Sequence, residues 1–176
     1  MERLHAADYF REALVLLGEQ GVEAMTISAL CDRLSVTKGS FYHHFGSLSG
    51  FVDQLLGYWS DEHSDKLVSS AQVQPDAALR LAALIESAIA LPHATEAAIR
   101  AWGASRPDVA EVVARVDRLR ERHLGAAVAA LGVDGARARL LGRMALNLVV
   151  GAQQREQDVD RRRLRAMLAE FTGLLD

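Results

Sequence analysis

From one end of the chain to the other, apolar side chains recur three and four positions apart and seldom alternate with polar ones. That spacing lays them along one face of an α-helix, whereas a half-buried strand would repeat every second residue, so an all-α fold is expected. With 176 residues, 50% of them apolar and 24% charged, the chain can bury one compact core or carry a small module beside a larger one. Its formal net charge of −3 supplies no whole-molecule field for a polyanion, and any nucleic-acid site has to be a local patch. The one cysteine, Cys31, has no partner for an intramolecular disulfide. No leader-like segment follows Met1 and no apolar run has bilayer length, so a cytoplasmic protein is expected.

The first amphipathic run sets Phe10, Ala13, Leu14 and Leu17 on one face and is expected to stop at Gly18 to Gly21. Thr26 then stands where an N-cap is wanted, ahead of Ile27, Leu30, Cys31 and Leu34 at i, i+3, i+4, i+7. Ser35 and Val36 make a bend, Thr37 caps a third short helix, and Phe41 and Phe45 lie one turn apart on its inner side. A longer helix starts at Leu48, presents Phe51, Val52, Leu55, Leu56 and Trp59, and is expected to run on towards Val73. The prolines Pro75, Pro92 and Pro107 fall between apolar-periodic runs, where a residue without an N–H is tolerated in a first helical turn. Acids just after two of them (Asp76; Asp108 and Glu111) suit the positive ends of new helices. Further helices are expected at about 75–91, 94–104, 107–131, 135–154 and 160–175, about nine in all, with ends uncertain by about two to four residues.

Two short helices joined by a tight turn, the second capped by threonine, make a helix-turn-helix suited to the major groove. Between Thr26 and Phe45, the residues Ile27, Leu30, Cys31, Leu34, Val36, Phe41 and Phe45 form the small core that fixes the angle between the helices. What is left outward is Thr37, Lys38, Gly39, Ser40, Tyr42, His43 and His44. No carboxylate occurs between Asp32 and Asp53, so this surface approaches phosphates without local repulsion. Lys38 and the hydroxyls of Thr26, Thr37 and Tyr42 are natural phosphate contacts, helped by the N–H groups of two helix starts. Gly39 allows close approach, and Ser40, His43 and His44 are the candidates for base edges.

The run from Thr26 to Phe45, followed by Ser47, resembles the helix-turn-helix signature of the TetR family of transcriptional regulators. Its strongest part is Val36-Thr37-Lys38-Gly39-Ser40-Phe41-Tyr42-His43-His44-Phe45, and the likeness extends through about Trp59. The resemblance implies a DNA-binding domain at 1–47 and a helical effector-binding and dimerisation domain at 48–176. It also implies a homodimeric, ligand-responsive repressor on a palindromic operator, with the last two helices of each subunit forming a four-helix interface. Two departures stand out. Ser35 occupies a turn position that commonly holds glycine, and Leu48 replaces a basic residue that often follows the serine after the recognition helix. Only Arg3 and His5 precede the first helix as a basic arm. Modest affinity with a shallow salt dependence is expected, since each lost phosphate contact lowers the slope of log K against log salt by about 0.9.

For the effector, a small apolar or aromatic molecule is expected among Trp59, His63, Ile85, Ile89, Ile99, Trp102, Met144, Asn147 and Leu148, most of which are equally ordinary core material. The stripe Leu164, Met167, Leu168, Phe171 and Leu175, with Leu140, Leu141, Met144 and Leu148 on the preceding helix, exceeds what one subunit need bury and is assigned to a twofold interface. Arg161, Arg162, Arg163 and Arg165 then form the solvated side of the last helix. The remaining histidines are scattered, with no metal-ligand spacing, and no metal or cofactor is expected. Nor does a nucleophile elbow, phosphate loop or zinc-protease motif occur, so no enzyme is expected. The competing reading keeps the fold but makes the chain a dimeric helical adaptor that acts through a protein partner.

Overall fold

The computed structural model describes residues 4–61, 74 and 76–175. Among them are nine α-helices, a short 3-10 turn after the first, and no strand. The helices are α1 (Ala6–Gln20), α2 (Ile27–Leu34), α3 (Lys38–Phe45), α4 (Leu48–Ser60), α5 (Ala77–Ile89), α6 (His93–Gly103), α7 (Pro107–Ala129), α8 (Gly135–Arg155) and α9 (Arg161–Thr172). The expected run of α4 towards Val73 lies outside the described residues, as do Arg3, His63 and Pro75.

Local chemistry starts these helices where the pattern requires. Asp76, Asp134 and Asp160 each accept two backbone N–H groups at the starts of α5, α8 and α9, satisfying donors that no helix can satisfy internally. At Asp160 the N–H of Arg163 leads the interactions that hold the carboxyl below its ordinary value. Pro107 occupies the first turn of α7, where its missing N–H costs nothing.

One apolar core joins α1–α4 to Ile99 and Trp102 of α6 and to Val109 and Val116 of α7. Two further clusters fill the space among α5, α7, α8 and α9. Two crossings depend on glycine. A Cβ at Gly142 of α8 would lie 2.6 Å from the backbone nitrogen of Gly125 on α7, so these two helices touch backbone to backbone. Of the two glycines expected to end α1, Gly21 is its C-cap after Gln20, while Gly18 lies inside the helix, where α6 crosses. A Cβ there would stand 2.7 Å from Thr95 Oγ1, and the same hydroxyl donates to the Leu14 carbonyl at 3.0 Å.

The expected twofold stripe divides. Leu141, Leu164, Leu168 and Phe171 are buried within the subunit and present no interface, because α9 lays its apolar face against α5 and α8 of its own chain. Leu175 is half-buried against the same cluster. On the outside of α8 and α9, Leu140, Met144 and Met167 stay 60%, 40% and 37% exposed.

Candidate nucleic-acid interface

The segment Thr26–Phe45 folds by three short-range devices. The Thr26 hydroxyl accepts from the Ala29 N–H at 3.1 Å and starts α2. Ser35 then takes the left-handed conformation at φ 53°, and the Val36 N–H donates back to the Cys31 carbonyl at 2.9 Å, closing the helix across five residues. The Thr37 hydroxyl accepts from the Ser40 N–H at 3.2 Å and starts α3. Ser47 does the same for α4, accepting from Gly50 at 3.0 Å. A hydroxyl that accepts as an N-cap keeps its own O–H to donate. Thr26, Thr37 and Ser47, all exposed, therefore offer three fixed donors beside three helix N-termini, where the backbone dipole favours an anion.

An aromatic cluster supports α3 from beneath. The rings of Phe41 and Phe45 meet Tyr9 of α1 edge-on, with centroids 6.2 and 5.2 Å apart, and Phe45 meets Phe51 of α4 edge-on at 4.9 Å, a favoured geometry for such pairs. Tyr9 is fully buried yet reaches α3 with a polar atom: its hydroxyl and Ser40 Oγ lie 2.9 Å apart, and its ring centroid is 5.4 Å from that of His44. Ser40 and His44 thus sit half-buried on the side of α3 that leans on α1, while Lys38, Gly39, Tyr42 and His43 stand on the exposed side. Tyr42 is 51% exposed. Tyr9 was missed in the sequence because its neighbour Phe10 carries the regular stripe of α1.

Among the described residues, the electrostatics of this surface come down to one cation without an ion-pair partner. Arg11 pairs with Asp8, and Arg33 is clamped by Glu12 and, at 2.9 Å, by Glu19. Those two carboxylates push the Arg33 guanidinium further up and use its charge. Lys38 has no carboxylate partner among the described residues, and the rest of the exposed side of α3 carries none. Its neighbours are hydroxyls, imidazoles and N–H dipoles, a set that attracts phosphate weakly and at short range.

The described residues expected around an effector are divided between two clusters and the surface rather than gathered in one place. Trp59, Ile99 and Trp102 belong to the core shared with α1–α4, and Ile89 to the cluster beneath α9. Met144 is exposed, while Asn147 and Leu148 line an open groove between α8 and α9. Of the described residues in that set, Ile85 alone borders the apolar cavity of about 40 Å³ that lies among α5, α7, α8 and α9. Its wall is aliphatic apart from Arg120 and His123. Burial, with Arg122 nearby, pushes the His123 imidazole below its ordinary value.

Arg120 also belongs to a buried polar cluster that the sequence reading missed. It donates to both carboxylate oxygens of Glu96, at 2.7 and 3.1 Å, and Glu96 accepts from the Trp59 indole N–H at 3.0 Å. The guanidinium carbon lies 5.9 Å from the Trp59 ring centroid. A signal was available. Arg120 falls on the buried stripe of α7 set by Val109 and Val116, the one register in which a charged residue needs a partner inside.

Residues 10–55 match the family model for bacterial regulatory proteins of the tetR family. Over 87 residues, 49% of this chain, the sequence is 29% identical to the HTH-type transcriptional repressor KstR2 of Rhodococcus jostii (strain RHA1). That match spans 43% of the relative's length. The fold extends the likeness to the whole chain. A TetR transcriptional regulator from Legionella pneumophila superimposes with a TM-score of 0.79 at 14% identity, covering 100% of this chain and 98% of that one. A transcriptional regulator from Saccharomonospora viridis, solved in complex with choline, superimposes with a TM-score of 0.77 at 15% identity, covering 96% and 95%.

Proposed function

We propose that this chain is a repressor of the TetR family of bacterial regulatory proteins that binds a palindromic operator as a homodimer and releases it in response to a small apolar ligand. In this reading residues 1–47 contact DNA and residues 48–176 dimerise and sense. The boundary separates tasks rather than cores, since one apolar cluster runs across it.

The observation that carries the proposal is the outer side of α3: an aromatic base fixes the helix, and Lys38, Gly39, Tyr42 and His43 project from it with no acid among them. Such a helix fits the major groove, with phosphates held by Lys38 and by the hydroxyls of Thr26, Thr37 and Ser47, and base edges met by Tyr42 and His43. Ser40 and His44 act one step back, through Tyr9, by setting how α3 sits. Dimerisation follows from operator symmetry, because one three-helix head covers only a half-site. The surface proposed for it is the exposed part of the stripe, Leu140, Met144 and Met167, with the buried leucines behind as support. As a DNA-binding protein the chain would act in the cytoplasm.

A mobility-shift assay on DNA flanking the chain's own coding region, run at two salt concentrations, tests the reading. The expected result is a sequence-dependent shift that Lys38→Ala and Tyr42→Ala weaken at unchanged melting temperature and oligomeric state. A well-folded dimer with no sequence-dependent shift would favour the adaptor instead.

A further inference from the structure

Resting on that regulatory reading, we propose that binding to DNA takes up one proton per subunit on His43, so that a fall in pH from about 8 to about 6 strengthens the complex. The need for such a proton comes from a shortage of cations. On α3 the one permanent positive charge is Lys38, and the arginines of α1 and α2, Arg11 and Arg33, are taken by Asp8, Glu12 and Glu19. Two imidazoles, His43 and His44, occupy the last turn of α3. Imidazole is the side chain that ordinarily changes charge between about pH 5 and 8, and the carbonyls of a last helical turn favour a cation beside them. A phosphate brought close favours the charged form further, and linkage makes the effect mutual: a proton that binds more tightly next to phosphate tightens the hold on phosphate.

Geometry separates the two imidazoles. Their ring centroids lie 5.8 Å apart, where two positive charges would oppose each other, so a single proton per subunit is expected. His44 is half-buried, its ring 5.4 Å from that of Tyr9 and 5.7 Å from that of Phe45. His43 is exposed, next to Tyr42 on the side of α3 that meets DNA in this reading. The proton therefore belongs to His43.

Uptake also requires that no carboxylate already hold a proton there in the free protein. On α1, Asp8, Glu12 and Glu19 are engaged by Arg11 and Arg33, and the Tyr9 hydroxyl lies 2.9 Å from Ser40 Oγ. On α2, Cys31 is buried, and Asp32 stands by the start of α3, since both it and Lys38 act on the Cys31 thiol. On α4, Asp53 is close enough to Arg106 to act on it. Among the described residues none of these acids forms an ion pair with His43, which leaves phosphate as its first anionic partner.

Affinity is measured for the full-length protein at about pH 8 and about pH 6, on the flanking duplex and on a scrambled duplex of equal length and composition. The expected result is tighter binding of both duplexes at the lower pH, roughly threefold per subunit and so about tenfold for a dimer. The slope of log K against log salt should be steeper there by about 0.9 for each imidazole that becomes a phosphate contact. His43→Gln should lose this pH dependence, and His43→Lys should bind at pH 8 as the parent does at pH 6. His44→Gln and His5→Gln, which remove the other imidazoles of this end of the chain, should keep it. A parent affinity that ignores pH, a His43→Gln variant that keeps the full dependence, or a dependence lost in His5→Gln overturns the proposal, as does an affinity change that tracks melting temperature. If both duplexes bind alike while the dependence stays on His43, the regulatory reading fails and the proton linkage stands. If neither duplex is bound at either pH, both fall.

Discussion

The exposed side of α3 and the buried cluster of Glu96, Arg120 and Trp59 use polar groups in opposite ways. On α3 the groups are held by bonds to neighbours three residues away and left open to solvent. In the cluster the partners lie 24 and 37 positions apart in sequence and are sealed from solvent. Polar atoms that point outward cost little to keep and little to lose, and their worth is in what they touch next. Polar atoms sealed inside are held by each other, and removing one strands the rest. The two regions should therefore respond oppositely to substitution.

The largest expected effect lies in the cluster. Arg120→Ala leaves Glu96 as a buried charge without its bidentate partner and is expected to cost about 3–5 kcal/mol, read as a lower denaturant midpoint. Tyr42→Ala on α3 should stay within about 0.5 kcal/mol of the parent. A cluster variant as stable as the Tyr42 variant would erase the contrast. Next in size are the two crossings. Gly142→Ala and Gly18→Ala each force a methyl against atoms 2.6 and 2.7 Å away, and overpacking of this kind costs about 1–3 kcal/mol. Gly142→Ala should lose more, because it meets backbone whereas Gly18→Ala meets a threonine side chain first.

These contrasts also explain what could be read from the sequence. Everything on the outer side of α3 follows from spacing within twenty residues: Thr26 and Thr37 as caps, Ser35 in the turn, Phe41 and Phe45 inward. The helices of the remainder were legible for the same reason, as their caps and prolines are local. Long-range pairing was not. Nothing near Glu96 says that it meets Arg120, and Gly18 reads as a stop until Thr95 is placed against it. The stripe of α9 showed that Leu164, Leu168 and Phe171 are buried, but an apolar face does not say whether its partner is the same chain or another.

Smaller effects sharpen the comparison at its border. Tyr9→Phe deletes one hydroxyl bonded to Ser40 and should cost about 0.5–1.5 kcal/mol, with a few-fold loss of operator affinity, because the side of α3 facing α1 loses its anchor. Intact affinity would mean that Tyr9 serves stability alone. A pH effect of similar size belongs to the interior. His93 is buried, its Nε2 lies 3.1 Å from the Ile89 carbonyl and its Nδ1 3.2 Å from Gln153 Nε2. Burial is the main cause that pushes the imidazole below its ordinary 6.5. The unfolded chain therefore takes up the proton first as pH falls, so the His93 contribution to stability is present above pH 6.5 and declines below it. Thermal melts between about pH 7.5 and 5 should show a shallower decline in His93→Gln than in the parent. Parallel curves would remove His93 from the account.

The most direct measurement is the salt dependence of operator affinity for the parent and for Lys38→Ala, with melting temperature and oligomeric state recorded beside it. If α3 is the reading helix and Lys38 its free cation, the variant binds more weakly, its slope of log K against log salt is shallower by about 0.9, and its stability and assembly are unchanged. An unchanged slope, or a loss of binding that tracks a loss of folding, would contradict it.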